Sequence, residues 1–160
     1  TSLEEVIGKL LINNNLTISI AESCTGGLLA GRLINYPGIS SVFRQGLITY
    51  SNDSKVKLLG VKEETLEKYG AVSKETAYEM AEGVAKFSDT DTGIAVTGIA
   101  GPGGGSREKP VGLIYLGIYI KGQVYTRELF FKGDRQKLRN YGVNQALCWF
   151  RSLLIKKGYK

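Results

Sequence analysis

Histidine is missing from all 160 residues of this chain. Whatever proton transfer or nucleophilic attack the chain performs therefore runs without imidazole, which excludes the Ser–His and Cys–His pairings common among hydrolases. Cysteine is nearly as scarce. Cys24 and Cys148 give no disulfide framework. Two thiolates and carboxylates alone make a poor zinc site, so no metal is expected. Long apolar runs are also absent, and nothing approaches the ~20 residues of a membrane-spanning helix. The opening Thr1-Ser2-Leu3-Glu4-Glu5 carries acids and lacks the basic start of a secretion signal. It reads as a capped helix start, with Ser2 three residues before Glu5. No membrane partner is expected, and a reducing cytoplasm is the expected location.

What is present fits one globular domain over residues 1–160, with 42% apolar and 22% charged residues. The 21 glycines include two clusters, at 26–31 and 98–105, which points to particular backbone positions. The net charge of +6 lies entirely in residues 134–160, where seven basic residues face only Asp134. A basic end can favour nucleic acid, but cations in a helix's last turn also complement its dipole. The segment has no aromatic–basic alternation of the single-strand-binding kind. Nucleic acid is therefore not the expected partner. Exposed apolar positions on the long strands suggest a homo-oligomer.

After the capped start comes a short first helix whose apolar face is Val6, Leu10 and Leu11, stopped by Asn13-Asn14-Asn15. Residues 16–20 read as a strand, 26–35 as a helix ended by Tyr36-Pro37-Gly38, and 43–50 as a second strand. A cap cluster, Ser51-Asn52-Asp53-Ser54, opens a helix through residue 59. A short helix follows at 65–69, then one capped by Ser73 and running to Phe87, then a strand at 92–99. Residues 111–120 and 123–131 are two strands joined in a hairpin at Lys121-Gly122. A terminal helix from Asp134 to about residue 157 buries Val143, Ala146, Leu147, Phe150, Leu153 and Leu154. Strands separated by helices favour a parallel core, and the hairpin adds an antiparallel member. The expected fold is α/β: a three-layer α/β/α domain with a mixed, mostly parallel five-stranded sheet.

Three places gather chemistry. The first is Ile18-Ser19-Ile20-Ala21-Glu22-Ser23-Cys24-Thr25-Gly26-Gly27-Leu28-Leu29, an apolar strand breaking into small polar residues and then a helix. That grammar can mount a nucleophilic hydroxyl at a turn, with helix N-terminal amides facing the reacting atom. Equally, Ser23, Cys24 and Thr25 can simply cap the helix. Cys24 is a rival nucleophile, since a helix N-terminus lowers a thiol's pKa, and Glu22 is either a surface residue or one that orients the site. The second is Thr49-Tyr50-Ser51-Asn52-Asp53-Ser54-Lys55. Two parallel strands bring their carboxyl ends to one sheet edge, where ligands of open α/β sheets bind, so Ser23, Tyr50 and Lys55 can meet there. A lysine made neutral by burial can activate serine, and a tyrosine can relay a proton or orient the amine. The third is Thr97-Gly98-Ile99-Ala100-Gly101-Pro102-Gly103-Gly104-Gly105-Ser106, whose successive amides can form an anion nest. It lacks the Gly-Lys-Ser/Thr ending of a P-loop and the following helix of a dinucleotide fingerprint. Arg135 and Arg139 stand near enough in sequence to add a guanidinium fork or to serve structural ion pairs.

At these residues the chain resembles the C-terminal domain of the CinA (competence/damage-inducible) family, also known as the PncC-type nicotinamide mononucleotide deamidases. The matching segments are Ala21 to Gly27, Gly46 to Lys55, Gly70-Ala71-Val72-Ser73, Thr97 to Gly105, Lys109-Pro110-Val111-Gly112, and Gly133-Asp134-Arg135 with Arg139. The resemblance implies hydrolysis of the carboxamide of a pyridine nucleotide, nicotinamide mononucleotide, to nicotinic acid mononucleotide and ammonia, without a cofactor. It implies Ser23 as nucleophile, Lys55 as general base and Tyr50 as its assistant. Substrate contacts would come from Thr25, Gly26 and Gly27 in the turn, Thr97, Gly101, Gly103 and Gly104 in the glycine loop, and Arg139. Ser106-Arg107 stands where the family often has Thr-Pro. Longer members add an N-terminal domain associated with ADP-ribose pyrophosphatase activity, which these residues do not carry over. Two other expectations compete with the amidase: a nucleotide-binding module without turnover, and a nucleic-acid interaction protein.

Overall fold

Two strands, β1 (Ile18–Glu22) and β3 (Thr92–Gly98), lie side by side at the centre of a five-stranded sheet, as their near-continuous apolar and small residues require. The structure, a computed structural model, describes residues Thr1–Lys160. The sheet order is β2-β1-β3-β4-β5, with β2 at Phe43–Ile48, β4 at Leu113–Ile120 and β5 at Gln123–Phe130. β1 pairs in parallel with both β2 and β3, whereas β4 is antiparallel to β3 and to β5. Only β4 therefore runs against the rest, so the sheet is mixed and mostly parallel, as expected. The hairpin turn is Lys121-Gly122, both at positive φ (46° and 92°), the geometry that matches strand twist in a two-residue loop.

The two faces of the sheet differ in size of side chain. Ile18, Ile20, Ile94, Val96, Ile114 and Leu116 form the larger core with α1 (Leu3–Asn13), α2 (Leu28–Leu33) and α6 (Arg135–Lys156). Ala21 and Ala95 face α5 (Lys74–Ser88), which α3 (Asn52–Leu59) and α4 (Glu63–Tyr69) flank. α5 lies so close that a Cβ at Gly117 would collide with the Ala77 carbonyl, and one at Gly93 would sit 3.1 Å from the Ala81 oxygen. Small residues on that face thus set the depth of the third layer.

Several boundaries shift from the sequence reading. β1 begins at Ile18 instead of residue 16 and continues through Glu22, because parallel pairing to Ile48 and Val96 overrides the weak strand propensity of Ala21 and Glu22. α2 begins only at Leu28, since Gly26 and Gly27 have φ of 55° and 105°, outside the helical region. β2 stops at Ile48, and a short 3₁₀ turn at Pro37–Ser41 lies between α2 and β2. α1 buries Ile7, Gly8 and Leu11 instead of Val6, Leu10 and Leu11, because the Tyr36 ring fills the space beside Gly8. In α6 the expected stripe is buried except for Leu153, which is half-buried. The caps expected at Ser2, Ser51 and Ser73 are in place, each accepting an amide three residues on, and Asp134, expected as the first residue of the last helix, is its cap, accepting from Lys137 N.

Candidate active site

The C-terminal ends of β1, β2 and β3 converge on one edge, and the segments leaving them enclose a cavity of about 290 Å³. Ser23 follows β1 directly. Its amide donates to Val96 O (3.0 Å) and its carbonyl accepts from Gly26 N (3.1 Å), so the serine backbone is held between the sheet and its own turn. Its side chain lines the cavity.

Lys55, in the first turn of α3, comes from the opposite side and is only 1% exposed. Its Nζ lies 3.1 Å from Ser23 Oγ, 2.7 Å from Thr49 O and 3.4 Å from Tyr50 O. No carboxylate pairs with it. Burial therefore lowers its pKa from 10.5 to about 8. The geometry suits the neutral amine: two N–H bonds to the carbonyls of residues 49 and 50 leave the lone pair for the serine hydroxyl proton. Both partners of a serine–lysine pair are thus in contact.

The other expected catalytic groups sit differently. Tyr50 meets Lys55 through its carbonyl; the residue is 64% exposed and its hydroxyl accepts from Arg135 Nη2 at 3.4 Å. The expectation that its phenol orients the amine is corrected accordingly. Cys24 is no thiolate: burial raises its pKa to about 11, outweighing the Arg139 charge beside it. Nor do Ser23, Cys24 and Thr25 cap α2. Its N-cap is Gly27, which has no side chain to offer. The capping group is Glu22, 1% exposed, whose carboxylate accepts Thr25 Oγ1–H (2.6 Å), Leu29 N–H (2.9 Å) and Ala30 N–H (3.0 Å). That role, left open in the sequence, is invisible there because it depends on a strand residue lying beneath a helix that starts six residues later.

The expected substrate contacts divide into two groups. Thr97, Gly101, Gly103 and Gly104 line the cavity, with Ala71, Val72 and Ile99 as apolar walls. Thr97 Oγ1 donates to Ala71 O (2.9 Å), tying the strand end to the opposite wall. Thr25, Gly26, Gly27 and Arg139 lie behind the serine and line no part of it. Arg139 instead braces the turn, donating to Cys24 O (2.9 Å) and Thr25 O (3.1 Å). The arginine at the cavity is Arg135, which also donates to Gly101 O (2.6 Å). Neither arginine forms the ion pair considered from the sequence. Arg135 and Arg139 are one helical turn apart, and spacing alone cannot say which reaches the cavity.

Donors remain free around the serine and in the loop. The amides of Cys24, Thr25 and Gly27 make none of the protein's internal hydrogen bonds, nor do those of Ala100, Gly101, Gly103, Gly104 and Gly105. Because a trans peptide points its C=O and N–H in opposite directions, Arg139's grip on Cys24 O turns the Thr25 N–H away from α6. A larger groove, about 560 Å³ between the end of α3 and α5, includes Lys57, Tyr78 and Phe87 but no serine, threonine or cysteine. The smaller cavity is the candidate active site.

Known proteins match this chain along nearly its whole length. The family model described as the CinA C-terminal domain matches residues 1–154. A protein named competence-damage inducible from Clostridium novyi (strain NT) is 65% identical over 159 residues, 99% of this chain and 38% of its own length. One of the same name from Clostridium acetobutylicum is 61% identical over 155 residues, covering 97% of this chain and 38% of that one. The chain therefore spans less than two-fifths of these relatives. Among solved structures, a competence/damage inducible protein from Agrobacterium tumefaciens superposes with TM-score 0.91 at 44% identity, covering 94% of this chain and 93% of that one. A CinA superfamily protein from Escherichia coli gives TM-score 0.92 at 37% identity, covering 94% and 88%. No helix is long and apolar enough to cross a membrane. By sequence and by fold, the chain belongs to the family of the CinA C-terminal domain.

Proposed function

We propose that this chain is an amidohydrolase that converts nicotinamide mononucleotide to nicotinic acid mononucleotide and ammonia through Ser23 and Lys55. The observation that carries the hydrolase reading is the buried lysine amine 3.1 Å from the serine hydroxyl with no carboxylate to hold it charged. The choice of substrate rests on the family resemblance, and the site is compatible with it. Free loop amides and Arg135 offer donors for a phosphate. Ala71, Val72 and Ile99 offer an apolar wall for a ring.

In this mechanism neutral Lys55 takes the Ser23 proton as Oγ attacks the carboxamide carbon. The oxyanion accepts a hydrogen bond from the unpaired amide of Cys24, the turn residue beside Ser23 that lines the cavity. The Lys55 ammonium then returns its proton to the departing nitrogen, and ammonia leaves. Water, deprotonated by the same amine, hydrolyses the acyl-serine. The α2 N-terminus itself is not a donor, because Glu22 occupies its amides.

The test is ammonia release from nicotinamide mononucleotide. Ser23→Ala is expected to lose at least about 10³-fold in kcat while still binding the nucleotide; an undiminished rate would rule out the serine mechanism. A binding module without turnover is the second reading, favoured by the free loop amides alone. Calorimetric binding of the nucleotide with no ammonia from the same wild-type preparation would select it.

A further inference from the structure

The turn that carries Ser23 is built from residues that do not hold a shape by themselves. Five residues, Ser23 to Gly27, separate β1 from α2, and two of them are glycines at positive φ. Such a segment has wide conformational freedom, yet a nucleophile must be held to within about 0.5 Å of its working position. Something outside the turn has to stitch its two ends together.

We propose that Glu22 is the positioning residue for the nucleophile: its carboxylate locks the start of α2 and the Thr25 side chain to the end of β1, and so sets where Ser23 and the free amides beside it point. This inference rests on the serine hydrolase reading given above. The backbone of Glu22 is fixed from both sides, pairing with Ile48 on β2 and Val96 on β3, and its carbonyl accepts Thr49 N–H at 2.8 Å. One carboxylate oxygen then accepts Thr25 Oγ1–H and Leu29 N–H, and the other accepts Ala30 N–H. The sheet, the turn and the helix are thereby joined through one buried side chain.

The chemistry demands a carboxylate. All three partners are donors, and a buried carboxylate presents acceptors only. A glutamine would turn its NH₂ against an N–H. An aspartate keeps the charge but is one methylene shorter, which takes its oxygens away from the Leu29 and Ala30 amides in the first turn of α2. The same contacts divide the donors at this edge: the α2 amides of Leu29 and Ala30 serve Glu22, so that of Cys24, at the cavity, remains for a reacting oxygen.

Glu22→Gln tests this with two readouts. The first is ammonia release from nicotinamide mononucleotide. The second needs no knowledge of the substrate: the rate at which an aryl fluorophosphonate labels Ser23, read by mass spectrometry. The expected result is a fall of about 10²-fold in kcat and in labelling rate, with KM changed less than about threefold and the protein still folded. A folded Glu22→Gln variant with both rates within about threefold of wild type overturns the proposal, whatever its Tm, and reduces Glu22 to a helix cap. Should that variant fail to fold, Thr25→Ser and Thr25→Val replace it. The serine, which keeps the hydroxyl bond to Glu22, is expected to label several-fold faster than the valine, and equal rates overturn the proposal. Wild-type labelling at Ser23 without ammonia release would remove the substrate reading and leave this test intact. Wild type that is not labelled at Ser23 overturns both.

Discussion

Lys55 is the one basic residue buried in the protein, and its surroundings decide its chemistry. Three neutral oxygens, Ser23 Oγ and the carbonyls of Thr49 and Tyr50, lie around its Nζ and no anion does. The cost of burying the charge therefore falls on its pKa, brought down to about 8. Two outcomes follow. If neutral Lys55 is the base, kcat/KM rises about tenfold per pH unit below pH 8 and levels off above it; a flat profile from pH 6 to 9 would remove Lys55 from that role. The same shift shapes stability. Between about pH 8 and 10.5 the unfolded chain binds more protons at this residue than the folded one, so wild-type stability rises with pH across that window. The full difference, at about 1.4 kcal/mol per pH unit, is about 3 kcal/mol. Lys55→Met removes the group, so its urea-unfolding free energy should lack this rise; parallel curves for the two proteins from pH 7 to 10 would contradict it. Cys24 shows the opposite case, in which burial disarms a nucleophile that its place in the sequence had made plausible.

At the scale of elements, the sequence disclosed what local chemistry determines. Ser51, Ser73 and Asp134 mark helix starts because each side chain satisfies an amide three residues on, a relation contained in the sequence itself. The Lys121-Gly122 hairpin is legible for the same reason. The pairing of Ser23 with Lys55 was legible because two parallel strands must bring their ends together. What stayed hidden depends on residues far apart in the chain: the extension of β1 through Glu22, the Tyr36 ring that rotates the buried face of α1, and the choice between Arg135 and Arg139. The close approach of α5 to the sheet belongs here too. Gly117 faces Ala77 with no room for a methyl, so Gly117→Ala should overpack the layer and cost about 1–3 kcal/mol by chemical denaturation. A loss below about 0.5 kcal/mol would mean that α5 can lift from the sheet at little cost.

Across the whole molecule, the sheet has a working end and a fastening end. Ser23, Thr49 and the glycine loop leave the C-terminal ends of β1, β2 and β3. At the opposite end, where β1 and β3 begin, Asp91 and Thr17 hold each other. Thr17 N and Oγ1 both donate to Asp91 Oδ2 (3.0 and 3.1 Å), and Asp91 N donates to Thr17 Oγ1 (2.9 Å). Lys121, from the hairpin, adds an ion pair to Asp91 Oδ1 at 3.3 Å. One aspartate thus fastens β1, β3 and the β4–β5 turn. Burial pushes its pKa up, but the Thr17 bonds and Lys121 outweigh that and hold it below 3.8. A carboxyl that titrates lower in the folded state contributes fully above its ordinary value near 3.8 and loses that contribution as pH falls through the lower folded value. Asp91→Asn should therefore cost about 1–2 kcal/mol at pH 7 by urea unfolding, and the gap to wild type should narrow toward pH 3. Because the fastening lies a full strand length from Ser23, kcat/KM for ammonia release should stay within about twofold of wild type in the folded variant. A larger fall would show that strain at one end of the sheet reaches the other, and that the serine turn is held by β1 as a whole and not by Glu22 and its neighbours alone.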